Sequence, residues 1–108
     1  MEIDFNKDPA GHCIEAFASS DSDHRFNAAD ILRGLAGDAE PALSVLCHHL
    51  ENDPDIEVQR QCAFALSEIG YVLRERAESV LPFLYRVLNG NDDELVESAE
   101  SAIKNITR

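Results

Sequence analysis

The residues best equipped for chemistry are the cysteines and histidines, and their spacing decides what they can do. Cys47-His48-His49 is the tightest such cluster. A zinc site needs three or four ligands converging on one point. Neighbouring residues on a helix point about 100° apart, so His48 and His49 chelate a single ion poorly. Cys47 shares a face with Leu43 and Leu50, which turns its sulfur toward a core and away from both rings. His12-Cys13 offers even less. There is no His-Glu-x-x-His, and the five glycines are scattered at helix ends and turns rather than gathered in a phosphate-binding loop. The three cysteines, Cys13, Cys47 and Cys62, are an odd number with no secretion signal, which argues against a disulfide framework. Cys47 and Cys62 fall at helical core spacings and are expected to be small buried hydrophobes. No catalytic residue, metal ligand set or cofactor is expected, and the chain reads as a non-enzyme.

Charge narrows the partners. The 108 residues carry 9 Lys plus Arg and 21 Asp plus Glu, a net charge of −12. Nucleic acid and anionic membrane surfaces both demand a basic face, which this balance does not supply. A protein partner is expected, and a basic one is the electrostatic complement; a generally solubilising acidic surface is the plainer reading. The apolar fraction of 44% suits a folded chain. The longest apolar stretch, Val80 to Tyr85, contains Pro82 and is far too short to span a membrane. Met1-Glu2-Ile3-Asp4 has neither the basic nor the apolar region of a signal peptide, so a cytoplasmic protein is expected.

The elements that position these residues repeat. Ala39 to Leu46 aligns with Ala77 to Leu84 at an offset of 38 (77 − 39), pairing Leu43 with Leu81, Leu46 with Leu84 and Leu50 with Leu88. Downstream, Val58, Cys62, Ala65, Leu66 and Ile69 align with Leu95, Ala99, Ala102, Ile103 and Ile106 at an offset of 37 (95 − 58). The spacing i, i+4, i+7, i+8, i+11 puts each set on one helix face. Ala28, Ile31, Leu32 and Leu35 form a third copy, 34 residues before Cys62, Ala65, Leu66 and Ile69 (62 − 28). Such a unit is a two-helix repeat. Six helices are expected. They are Pro9 to Ala18, Asp23 to Leu35 behind the capping-rich Ser19-Ser20-Asp21-Ser22, and Ala39 to Glu51 capped by Asp38. Then come Asp55 to Ile69, stopped by Gly70, a helix ending at Leu88 before Asn89-Gly90, and Asp93 to about Thr107. Pro41 and Pro82 sit near helix starts, where a proline loses no helical hydrogen bond. The stretch 71–76 is longer than its counterpart and is either an extra helical turn or a bulging loop. Its departure from the repeat makes it a candidate contact site.

Asp53-Pro54-Asp55-Ile56-Glu57-Val58 through Ala65-Leu66-Ser67-Glu68-Ile69-Gly70 resembles the second helix of a HEAT repeat, in particular the bacterial HEAT-like type also found in phycobilisome lyases. The segments around Pro41 and Pro82 resemble its first helix. The family commonly has an arginine after the valine, in an Asp–Arg ladder between repeats; here Gln59 follows Val58. The resemblance implies an all-α fold, a short right-handed α-solenoid of three helical hairpins in one domain (about 8–36, 37–70 and 71–108). It implies a protein-binding scaffold, with the second helices on the concave side. The HEAT-type metal hydroxylases use His-Glu pairs, and this chain has no His-Glu dipeptide. A bilin-handling role is the enzyme-class alternative, for which three repeats offer little enclosing surface.

On the fourth helix the face opposite Val58, Cys62, Leu66 and Ile69 carries Arg60, Phe64 and Ser67, flanked by Glu57. The equivalent residues of the sixth are Glu97, Ser101 and Lys104, flanked by Glu94; those of the second are Phe26, Asp30 and Arg33, flanked by Asp23. These make a candidate partner-binding face with two aromatics and a mainly acidic rim. Burying a phenylalanine is worth roughly 1.5–3 kcal/mol, so an outward Phe64 needs a reason. A central aromatic within a polar rim is the composition of a binding hot spot; packing of Phe64 and Phe26 between repeats is the structural alternative. A non-catalytic adaptor is the leading reading. A small acidic inhibitor or immunity-type protein, neutralising a basic enzyme by charge and shape, is the second.

Overall fold

Three aspartates start the longest helices in the same way. Asp21, Asp55 and Asp92 stand in extended backbone, and their carboxylates accept the amides of Asp23 (2.9 Å), Glu57 (2.8 Å) and Leu95 (3.0 Å). Each such cap stabilises its helix by about 1 kcal/mol. They lie 34 and 37 residues apart (55 − 21, 92 − 55), the same offsets as the apolar repeat, so the caps fix the register in which the apolar faces meet.

A computed structural model describes residues 8–108; the reading of Met1 to Asp4 lies outside them. The helices are α1 (Pro9–Ala16), α2 (Ser22–Leu35), α3 (Leu43–Asn52), α4 (Ile56–Leu73), α5 (Leu81–Val87) and α6 (Asp93–Thr107). Two 3-10 segments, Ala36–Ala42 and Arg74–Val80, lead into α3 and α5. The described residues contain no strand. The expectation of six hairpin helices is corrected in part. Only α2, α3, α4 and α6 reach ten residues; α1 has eight and α5 seven. The third helix does not begin at Ala39 under an Asp38 cap, because Ala36–Ala42 is wound as 3-10 and no side chain caps α3. The cause is the sharp turn at the end of α2, where Ala36 has φ 50°; Arg74 repeats it at the end of α4 with φ 52°.

Gly70 is not a helix stop. It is buried inside α4, and the stretch 71–73 is an added helical turn before the 3-10 segment. A Cβ at Gly70 would lie 2.8 Å from Cγ1 of Ile106, so the glycine serves the close approach of α4 and α6. Ala28, Ala29, Ala63, Ala65, Ala99 and Ala102 are all buried, and their short side chains allow α2, α4 and α6 to pack side by side with α4 in the middle. On the other layer α1 packs on α2, α3 on α4 and α5 on α6. Leu32, Leu46, Leu66, Ile69 and Leu84 fill the space between the layers. The molecule measures 41 × 28 × 17 Å. Ile31, placed on the core face by the repeat, is 53% exposed. Its counterparts Ala65 and Ala102 are fully buried, but no further second helix covers that side of α2 among the described residues.

Candidate functional site

The side of α2, α4 and α6 that faces away from the other layer holds an open groove of about 500 Å³. Eight of the residues expected there line it: Phe26 from α2; Glu57, Arg60, Phe64 and Ser67 from α4; Glu94, Glu97 and Ser101 from α6. Asp30, Arg33 and Lys104 do not line it. Gln61, Glu68 and Ser98 do, and were missed by sequence reasoning. Helical spacing could have found them, since Gln61 and Glu68 lie three before and four after Phe64, and Ser98 lies four after Glu94.

Phe64 is 42% exposed and stands at the middle of the groove's central helix. The Arg33 guanidinium lies 5.1 Å from its ring centroid, within cation–π range. Arg33 is steered by Asp30 at 2.7 Å, and Asp30 also accepts from Nε2 of Gln61 on the neighbouring helix at 3.0 Å. Phe26 is half-buried and packs against the core while also lining the groove. Ser67 does not point outward as expected. It is only 8% exposed, and Asn105 of α6 donates to its carbonyl at 2.9 Å and approaches its hydroxyl at 3.3 Å. Ser67 thus fixes the α4–α6 spacing at the groove floor.

Arg60 is also more structural than its expected place on an open face suggests. Its Nη2 and Nε contact Asp92 at 2.7 and 3.2 Å, Nη1 donates to Glu57 at 2.7 Å, and Glu94 lies 3.4 Å from Nε. The hydrogen bond from Arg60 holds the Asp92 carboxyl below its usual range. An Arg–Asp ladder between neighbouring repeats is therefore present: Arg60 stands one residue on from Gln59, whereas Arg25 matches Gln59 itself at the offset of 34 (59 − 25). Its other rung is Arg25, whose Nε and Nη2 donate to Asp53 at 2.8 and 3.1 Å. Gln59 instead donates to the carbonyl of Asp53 at 2.7 Å, just as Arg25 Nη1 donates to the carbonyl of Ser19 at 2.9 Å, each reaching six residues back.

The Arg25–Asp53 rung is almost fully enclosed, with side-chain exposures of 9% and 0%. Nδ1 of His49 also meets Asp53, at 2.7 Å, and its ring stacks on Phe17 at 4.6 Å. Burial would push the Asp53 carboxyl up, but Arg25, the Asp55 amide and His49 together hold it below the usual range. His49 is thus committed to a carboxylate, while the exposed His48 meets it edge-on at 5.2 Å. Cys47 and Cys62 are buried, and burial pushes both thiols up, Cys47 to about 12, which suppresses the thiolate that nucleophilic or metal chemistry needs. Among the described residues no three His, Cys, Asp or Glu side chains are grouped to hold a metal, and no helix is long and apolar enough to cross a membrane.

A family model described as HEAT repeats matches residues 12–104. No curated protein and no solved structure matches the chain.

Proposed function

Because the chain belongs to the HEAT-repeat family, we propose that it is a non-catalytic protein-interaction module, an adaptor that receives a partner in the groove of α2, α4 and α6. On this reading the chain is one domain, a short right-handed solenoid of three hairpins (about 8–36, 37–70 and 71–108), and the groove is its concave face. A soluble, cytoplasmic setting fits the acidic composition. The observation that carries the reading is Phe64. A large aromatic, 42% exposed at the centre of a groove with a polar rim, is positioned as a binding anchor. Within the Cys47-His48-His49 cluster, the thiol is buried and His49 is engaged with Asp53, while His48 is exposed.

The test is capture of protein partners from cells of the source organism on immobilised chain, comparing the natural sequence with Phe64→Ala. The variant is expected to lose the retained partner. Because the ring is only partly covered, the change is expected to cost about 1 kcal/mol of folding stability or less. Loss of several kcal/mol in urea unfolding would instead make Phe64 a core residue.

The groove's acidic lining favours a second reading, an inhibitor or immunity-type protein that blocks a basic enzyme. That reading predicts that the captured partner is an enzyme silenced by the chain, with an association rate that falls steeply with salt.

A further inference from the structure

Resting on the reading of this groove as the partner-binding face, we propose that its occupant is an arginine-bearing segment of the partner. Such a segment would lay a guanidinium against Phe64 between the carboxylates of Glu68 on α4 and Glu97 on α6. The groove has two parts along the helices. In the part near the start of α4 and α6, Glu57, Asp92 and Glu94 already surround a guanidinium, that of the chain's own Arg60. Farther along α4 and α6 the lining changes to Phe64, Glu68, Glu97, Ser98 and Ser101. This part supplies two further carboxylates and an aromatic ring and is lined by no cation, the Arg33 guanidinium lying beside the ring from outside the lining. The repeat register explains the difference, because the residue of α6 matching Arg60 at the offset of 37 is Glu97 (97 − 60).

Neither Glu68 nor Glu97 has an ion-pair partner among the described residues. Four carboxylates line the groove against one cation, and that cation is already paired. The charge in the groove is thus unbalanced, and a basic occupant is its complement. Arginine suits it better than lysine. Its planar fork pairs with carboxylates while its face stacks on an aromatic ring, whereas the ammonium of lysine is a compact, strongly hydrated point charge. Phe64 already accepts one guanidinium, from Arg33 at 5.1 Å. The groove is open along its length, so it fits side chains presented by a segment of chain rather than an enclosed small molecule.

The test uses fluorescein-labelled nona-arginine, nona-lysine and nona-glutamate peptides, titrated with the chain at about 0.15 M salt. Saturable binding of nona-arginine is expected, tighter than nona-lysine, with none for nona-glutamate. The pair Glu68→Gln/Glu97→Gln is expected to weaken nona-arginine about tenfold. Phe64→Ala should remove most of the preference for arginine over lysine. The pair Glu75→Gln/Glu78→Gln makes the same change of charge on exposed residues outside the groove and is expected to have little effect. Equal weakening by both pairs, or no preference for arginine, overturns the proposal. Failure of nona-arginine to bind, while Phe64-dependent partner capture persists, overturns the arginine segment alone and leaves the interaction face standing. Partner capture indifferent to Phe64 overturns both.

Discussion

Asp53 accepts from Arg25, His49 and the amide of Asp55 while its side chain is wholly enclosed, so its charge is tied to the folded state. Removing it would leave the buried Arg25 guanidinium without its paired carboxylate, with only the more distant Asp55 and Asp21 as counter-charges. Breaking a buried pair from one side is strongly destabilising, and Asp53→Ala is expected to cost about 3 kcal/mol in urea unfolding. Asp92→Ala, at a more solvated rung, should cost clearly less. The same pairing sets a pH dependence. The folded-state Asp53 and Asp92 carboxyls lie below their ordinary range, near 3.9 for a free aspartate. The unfolded chain therefore takes up protons first. Their contribution is complete above about pH 4 and is lost as the pH falls through the lowered folded values. Asp53→Asn should flatten that acid limb of a stability–pH curve; an unchanged limb would show that other carboxylates dominate it. Little of this cluster was legible in the sequence. Arg25 and Asp53 are 28 residues apart, with Asp53 in the turn between α3 and α4, and only the stacking of α2 on the next hairpin brings them together. Phe64 was legible, because helical geometry alone sets it opposite Val58, Cys62 and Leu66.

Helix by helix, the apolar faces could be read directly, since they depend on local spacing, and so could the capping-rich stretch around Asp21. The caps Asp55 and Asp92 were missed by sequence reasoning, and Asp38 is not a cap. The helix ends could not be read this way. Gly70 looks like a C-terminal stop in isolation, yet α4 continues to Leu73. The reason lies on α6, where Ile106 presses against the glycine so closely that no Cβ fits without movement. Gly70→Ala is therefore expected to destabilise the protein by about 1–3 kcal/mol despite alanine's better helix propensity. The double variant Gly70→Ala/Ile106→Ala should recover part of the loss if the clash is the cause. A gain in stability from Gly70→Ala alone would mean that the two helices can move apart freely. Likewise, Ala36–Ala42 could not be told from a regular helix start, because 3-10 and α windings share the same apolar residues there and differ only in how the chain leaves α2.

Across the whole molecule, four of the nine lysines and arginines pair with carboxylates on a neighbouring element. Arg25 and Arg60 bridge neighbouring repeats, Arg86 pairs with Glu51 at 2.9 Å between α5 and α3, and Arg76 pairs with Glu40. The net charge of −12 leaves carboxylates in excess, and four of them line the groove. The composition showed the sign of this charge, but its concentration around Phe64 required the register in which α4 and α6 pack. The central claim is that partners bind on the α2–α4–α6 face. Amide hydrogen exchange of the chain, free and bound to the partner it captures, tests this most directly. The expected result is new protection within residues 57–68 and 94–101, with α3 and α5 unchanged. New protection on α3 and α5, with the groove segments exchanging as in the free chain, would contradict it.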